Sequence, residues 1–290
     1  MDKIVLKAYA KVNLALDVIR RRENGYHDLK MIMQTVDLYD VITIEKISEG
    51  IEISGSVPEL KYDESNLIYK AAKMMIDEYN IKEGVRIYLE KNIPMAAGMA
   101  GGSTDGAAVY NGMNELFELG RSKEELCSLG VKIGADVPYC ILGGTYLAEG
   151  IGEILTPLPS VPDCTLLIAK PNFDVSTKYV YENLHADELK HHPDVDAVIE
   201  EIKKGSLEGI CGYMENVMET VTQKEYPRIG EIKKLMTDCG ALKSMMSGSG
   251  PTVFGIFDQR QKAENCAGLL RAEGKEKQIF VSSFINRENF

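Results

Sequence analysis

A twelve-residue run, Pro94–Asp105, limits what this chain can fold into more than any other segment. It reads Pro-Met-Ala-Ala-Gly-Met-Ala-Gly-Gly-Ser-Thr-Asp and carries no charge until its last position. A strand-like run, Gly84–Glu90, precedes it, and a helix-like run, Ser103–Phe117, follows. Strand, glycine loop and helix in that order present backbone N–H groups at a helix N-terminus, where the dipole favours negative charge. Small residues let the backbone approach a phosphate closely. The segment therefore points to a phosphate binder, and among phosphates to a nucleotide. The Walker pattern needs Gly-Lys-Ser/Thr, whereas Ser103 and Thr104 follow Gly102 here with no lysine. The dinucleotide pattern GxGxxG is also absent. A tight strand-to-helix turn with Ser103 as N-cap satisfies the same pattern without a ligand, so other segments must decide.

Composition narrows the class. The chain has 290 residues, room for two domains or one large one. A net charge of −11 argues against broad binding to nucleic acid or anionic membrane. ATP is compatible with an acidic chain, since Mg²⁺ and a few lysines neutralise phosphate locally. No apolar run approaches the ~18 residues of a membrane span, and the N-terminus lacks a signal-peptide core. Six cysteines are scattered without a CxxC pair, which reads as a reducing cytoplasm.

The first fifty residues read as strands: Val5–Tyr9, Leu14–Ile19, Met31–Val36 and Val41–Ile47, with a turn at Asn24-Gly25. Helices are predicted over 66–79 and from Ser122 to Leu129, and a strand over 144–148. A linker lies around 158–162. Beyond it come a strand at 165–169, helices near 176–184, 194–203, 214–222 and 226–238, and strands at 242–247 and 252–257. A helix over 258–271 and a strand near 279–284 end the pattern. Strands with segregated helices indicate an α+β fold.

Four short segments carry chemistry. In Lys7–Leu14, Lys11 and Asn13 alternate with Val12 and Leu14 and so share one face of a strand. That face is either an exposed edge or an inward one where the lysine meets an anion. Tyr26 and His27 follow a turn, as a stacking ring and a two-nitrogen ring suited to a base edge, or as an ordinary half-buried turn. Asp136, in Gly134-Ala-Asp-Val-Pro138, is an N-cap, a functional carboxylate, or both. Ser244–Thr252 is a second glycine-rich turn, either a plain hairpin or a second backbone wall against the phosphates or the first loop. His191-His192 reads as a solvated loop, with no third ligand beside it for a metal.

Together these segments resemble the GHMP kinase superfamily. Pro94–Asp105 resembles its phosphate loop, and Met246-Ser-Gly-Ser-Gly-Pro251 its C-terminal glycine motif. Ala10–Leu14, Asn24–His27, Gly134–Pro138 and Glu149–Glu153 resemble the branch that acts on a cytidine-diphosphate-linked methylerythritol, in the same order along nearly the whole chain. The loop departs from many relatives at Ala96, Ala97, Met99 and Ala100, and at Gly106 near the helix start.

The resemblance implies ATP-dependent phosphorylation of the 2-hydroxyl of 4-diphosphocytidyl-2-C-methyl-D-erythritol in the non-mevalonate isoprenoid pathway. It implies an N-terminal domain over 1–160, like the second domain of ribosomal protein S5, and a ferredoxin-like domain over 161–290, with the site between them. It makes Asp136 the base for the hydroxyl, with Lys11 beside it. Pro94, Met95, Ala96, Ala97, Gly98, Met99, Ala100, Gly101, Gly102, Ser103 and Thr104 would wrap the ATP phosphates, with Mg²⁺ bridging them beside the Ser103 or Thr104 hydroxyl. Lys91 either reaches ATP or is an exposed strand-end lysine. Tyr26 and His27 would hold the cytosine with Tyr181, in preference to Tyr179, on its other face. Asn13 and Thr177 would bond the methylerythritol or its diphosphate. Homoserine or mevalonate kinase chemistry is the alternative, and an inactive ATP-binding regulator a more distant one. Lys11 and Asp136 both being present argues against the regulator.

Overall fold

The structure, a computed structural model, describes residues 1–286. Two strands dominate its start. β1 runs over Lys3–Arg21 and β2 over His27–Ile47, and they pair. The four short strands read from the sequence are thus continuous in pairs. No Gly or Pro interrupts either run, so nothing breaks the ladder. The turn between them bonds Arg22 N–H to Tyr26 O at 2.7 Å and Gly25 N–H to Arg22 O at 3.0 Å, with Gly25 at φ +86°.

The chain forms two compact units. The first comprises Met1–Ala10, Leu38–Ile93 and Ala100–Gly143. Within it β2 pairs antiparallel with β4 (Gly84–Glu90), Val41 opposite Glu90, and β4 pairs parallel with β3 (Ile51–Gly55). Helix α1 (Leu67–Tyr79) starts where Asn66 accepts the Ile68 N–H at 3.0 Å, and it packs on α2 (Gly101–Leu116). Alternate β2 and β4 residues, Ile42, Ile44, Val85, Ile87 and Leu89, are buried with Ile68, Ala71, Ala72 and Met75 of α1. That is the apolar face the helical spacing predicts. Gly112 lets α2 approach the sheet, because a Cβ there would lie 2.7 Å from Leu6 and 2.8 Å from Ile44. Helix α3 (Lys123–Gly130) opens on a full capping box between Ser122 and Glu125. It packs on α4 (Val137–Leu142).

The second unit comprises Lys11–Asp37, Pro94–Met99 and the chain from Gly144 on. Here β2 pairs with β5 (Thr145–Gly150), Leu29 opposite Gly150, and β5 with β6 (Ile154–Pro157). A separate antiparallel sheet has the order β10-β7-β9-β8, from β7 (Thr165–Pro171), β8 (Lys243–Met246), β9 (Val253–Phe257) and β10 (Glu276–Ser282). Helix α9 (Arg228–Asp238) precedes β8, and α10 (Arg260–Glu273) lies between β9 and β10. The order β-α-β-β-α-β with the first and third strands central is the ferredoxin-like arrangement.

Between β7 and α9 run α5 (Thr177–Asn183), α6 (Val195–Lys204), α7 (Leu207–Tyr213) and α8 (Glu219–Glu225). The helix predicted over 214–222 is broken at its start. Residues 214–218 leave the helix because Asn216 bridges to Leu16 of β1. Among the described residues no helix is long and apolar enough to cross a membrane.

Candidate active site

The loop Pro94–Ala100 sits between β4 and α2. Helix α2 begins at Gly101, two residues before the predicted start. Its N-cap is Ala100 in the left-handed region, φ +58°, with no side-chain cap bond. Ser103 therefore lies inside the first turn and does not cap it. Gly102 and Ser103 precede the first internally paired amide of the helix, Thr104 N–H to Ala100 O at 2.9 Å. The amides ahead of it are the ones a helix leaves for an anion.

The first unit also explains Lys91. Its side chain is 6% exposed and contacts the carboxylates of Asp40 and of Asp105, the latter at 2.7 Å. Asp40 Oδ1 accepts the backbone N–H of Asn92 (2.6 Å) and Ile93 (2.8 Å), and so fastens the start of the loop. Burial alone would lower the Lys91 ammonium, but Asp105 and Asp40 outweigh it and raise it. Burial pushes the Asp105 carboxyl well above its ordinary 3.8, Lys91 draws it down and Asp40 pushes it up again. Lys91 is thus neither exposed nor free to swing.

Lys91→Met should cost about 3–5 kcal/mol, because it strands two buried carboxylates. A carboxyl whose folded pKa exceeds its unfolded one stabilises the fold when protonated, and that stability is lost as pH rises through the folded value. The deficit of Lys91→Met should therefore shrink from pH 8 towards pH 5, read as the urea midpoint against wild type. A pH-independent deficit would contradict this account.

In the second unit Lys11 and Asn13 are buried, at 6% and 0% exposure, so their face of β1 is covered and is no edge. Lys11 Nζ donates to Asn13 Oδ1 at 2.8 Å. The same oxygen accepts the Gly248 N–H at 3.1 Å. The second glycine turn, between β8 and β9, is a hairpin closed by Ser247 N–H to Thr252 O at 2.9 Å. It is also a wall. Ser247 Oγ donates to Gly98 O at 2.9 Å, and Gly98 sits at φ +72° with Ser247 O 2.1 Å from where its Cβ would be. Lys11 N–H adds a bond to Met99 O at 3.2 Å.

Tyr181 stacks on His27, centroids 4.8 Å apart and planes 22° off parallel. Burial first, then the Arg21 charge, lowers the His27 pKa, which favours the neutral ring with one donor and one acceptor nitrogen. Tyr26 is 59% exposed. Ser176 caps α5, and Thr177 Oγ1 lies 2.8 Å from Ser249 Oγ of the glycine hairpin. In the second unit, therefore, residues at 11–13, 27, 98, 177, 181 and 247–249 are linked by these contacts.

Asp136, in the first unit, holds the N-cap position of α4, yet its side chain makes no cap hydrogen bond. Pro138 supplies the stiff first turn instead. His191 and His192 are not merely solvated: they face Glu215 at 2.6 Å and Asp17 at 2.9 Å. Asn216 and Asp40 were missed by the sequence reading. The usable signal was polar residues set among apolar ones, in Met214–Met218 and Val36–Ile44.

The family models for the GHMP kinases' N-terminal and C-terminal domains match residues 66–144 and 198–276. Fold and glycine loop together define an ATP-dependent small-molecule kinase of the GHMP class. The chain is 51% identical to the 4-diphosphocytidyl-2-C-methyl-D-erythritol kinase of Lachnoclostridium phytofermentans over all of both chains. It is 53% identical to that of Lachnospira eligens over 97% of this chain and 98% of the other. A crystal structure of a 4-(cytidine 5'-diphospho)-2C-methyl-D-erythritol kinase matches with a TM-score of 0.83 and 32% identity, covering 97% and 99%. A homoserine kinase from Cytophaga hutchinsonii shares the fold, with a TM-score of 0.79 at 21% identity. The chain belongs to the 4-diphosphocytidyl-2-C-methyl-D-erythritol kinase family.

Proposed function

We propose that this chain moves the γ-phosphoryl group of ATP onto the 2-hydroxyl of 4-diphosphocytidyl-2-C-methyl-D-erythritol. The observation that carries the substrate is the His27–Tyr181 stack, which joins the Gly-Tyr-His turn to α5 across 154 positions of sequence. The named relatives support the same reading.

In the proposed reaction the substrate hydroxyl oxygen bonds to the γ-phosphorus as the bond to the β-bridging oxygen breaks. ADP leaves, and the hydroxyl proton passes to Asp136. The transition state is loose, so early proton removal matters little, and positioning with electrostatics dominates. Asp136 orients the hydroxyl and takes its proton late, a role open to a carboxylate not engaged in capping. Lys11 places a fixed positive charge for the phosphoryl oxygens. The loop Pro94–Thr104 offers backbone N–H groups to the phosphates. Asn13 and Thr177 serve the methylerythritol and its diphosphate.

Magnesium fits as an ion carried by ATP. Ser103 and Thr104 provide hydroxyls in the first turn of α2, and among the described residues no three His, Cys, Asp or Glu form a cage. Mg²⁺ commonly keeps phosphate and water ligands with few from protein. It would offset phosphate charge there. The same proposal takes 1–160 and 161–290 as the two domains and a cytoplasmic setting as the working environment.

Tyr26→Ala tests the cytidine end. Base–aromatic stacking is worth ~1–3 kcal/mol, so the substrate KM should rise about 5- to 150-fold with the ATP KM unchanged. At 59% exposure Tyr26 contributes little to packing, so the variant should fold normally. An unchanged substrate KM contradicts the assignment.

A further inference from the structure

We propose that Asn216 and Glu219 form a latch that positions Lys11, acting through the peptide of Gly248 and the side chain of Asn13. The proposal rests on the reading of Lys11 as a catalytic residue.

Asn216 is 5% exposed and lies in the break between α7 and α8. Its segment is tied to β1, with Leu16 N–H to Glu215 O at 2.9 Å and Val217 N–H to Leu16 O at 3.0 Å. This is the strand that carries Lys11 and Asn13. Asn216 Nδ2 donates to Met246 O and to Gly248 O, each at 2.8 Å, and Oδ1 accepts the Met218 N–H at 3.0 Å. The amide orientation is therefore set, since a flip would face its oxygen to two carbonyls. Glu219 Oε1 accepts the Met246 N–H at 2.7 Å, while Oε2 pairs with Lys233 at 2.6 Å. Two side chains thus grip the hairpin from one side.

On its other side the same hairpin bonds the site. The Gly248 N–H and the Lys11 ammonium converge on one oxygen, Asn13 Oδ1. A Cβ on Gly248 would lie 3.5 Å from Lys11 Nζ. A lysine is a point charge on a flexible four-carbon stem, so its location depends on fixed acceptors. Moving Gly248 moves Asn13, and with it the ammonium. A misplacement of about 1 Å in such a site can cost about 10²-fold in rate. Asn216 and Glu219 are positioning residues.

The test uses Asn216→Asp, Glu219→Ala, Glu219→Gln and Lys11→Met in the full chain, with ATP and the methylerythritol substrate. In Asn216→Asp a carboxylate oxygen would face the two carbonyls, whereas a protonated carboxyl can donate to one of them. Glu219 (paired with Lys233), Glu215 (paired with His191), Asp17 on the bridged β1 segment (paired with His192) and Lys11 beyond Gly248 are charged groups on the segments bonded to it. Facing carbonyls favours the neutral form and raises that carboxyl's pKa. The ratio of variant to wild-type kcat should therefore fall as pH rises. At pH 8 we expect a loss of about 10²-fold with both KM values within about threefold of wild type. Glu219→Ala should lose about tenfold in kcat by the same misplacement. Glu219→Gln, which keeps the acceptor for Met246, should restore most of it.

A pH-independent ratio, a kcat near wild type in Asn216→Asp, or KM values rising in step with the loss would overturn the latch. Should Asn216→Asp not fold, the two Glu219 variants decide, and equal rates for them overturn the proposal. Lys11→Met separates the layers. Wild-type turnover there sinks the Lys11 reading itself, whereas its collapse beside unaffected latch variants sinks only the latch.

Discussion

Asp136→Ala is expected to lower kcat by roughly 10²-fold or more, the cost of losing the group that positions the hydroxyl, while ATP binding changes little. A capping aspartate replaced by Ala typically costs ~1 kcal/mol of stability. Asp136 makes no such bond, and Pro138 already stiffens the first turn of α4, so the unfolding midpoint should barely move. Rate and stability thus separate the two readings of this residue. A destabilised enzyme with near-normal kcat would make Asp136 a cap and nothing more. A folded enzyme with collapsed kcat is the outcome expected here.

Gly98→Ala should damage both the fold and ATP binding. At φ +72° a side chain pays the left-handed penalty of ~1–2 kcal/mol, and its Cβ would lie 2.1 Å from Ser247 O. The two glycine turns would have to separate, which breaks the Ser247–Gly98 bond and disturbs the wall beside Lys11. The backbone penalty alone corresponds to about 2–8 °C in Tm at ~2–4 °C per kcal/mol. The clash adds to this, and the ATP KM should rise more than about tenfold. Gly102→Ala is the matched control for stability. Its φ is not positive and the nearest atom, Leu67 Cδ1, is 3.9 Å away. In the first turn of a helix that change should be neutral or stabilise by up to ~1 kcal/mol. Equal Tm values for the two variants would contradict the close contact.

Local chemistry was legible wherever a short segment contained its own cause. The cap at Ser122, strand Gly84–Glu90 and helix α1 follow from caps and periodicity alone. The glycine loop was readable as a link from strand to helix N-terminus, although the cap is Ala100 and not Ser103. What failed depends on partners distant in sequence. Taken alone, polar Lys11 and Asn13 favoured an exposed edge, whereas contacts such as that of Asn13 with Gly248 of the hairpin make that face interior. Lys91 looked exposed or ATP-bound until Asp40, 51 positions earlier, was seen against it. A helix was expected over 214–222, yet the Asn216 backbone bridges Leu16 of β1 and its amide bonds Met246 and Gly248. The pairing of His27 with Tyr181 was likewise not derivable from either tripeptide alone.

The most direct test is ADP release by the wild-type chain with Mg-ATP and, in parallel, 4-diphosphocytidyl-2-C-methyl-D-erythritol, homoserine and mevalonate. The account predicts turnover with the cytidylylated substrate and none above background with the other two. No ADP release with that substrate, in a folded protein that binds ATP, would contradict it, as would preferred turnover of homoserine or mevalonate.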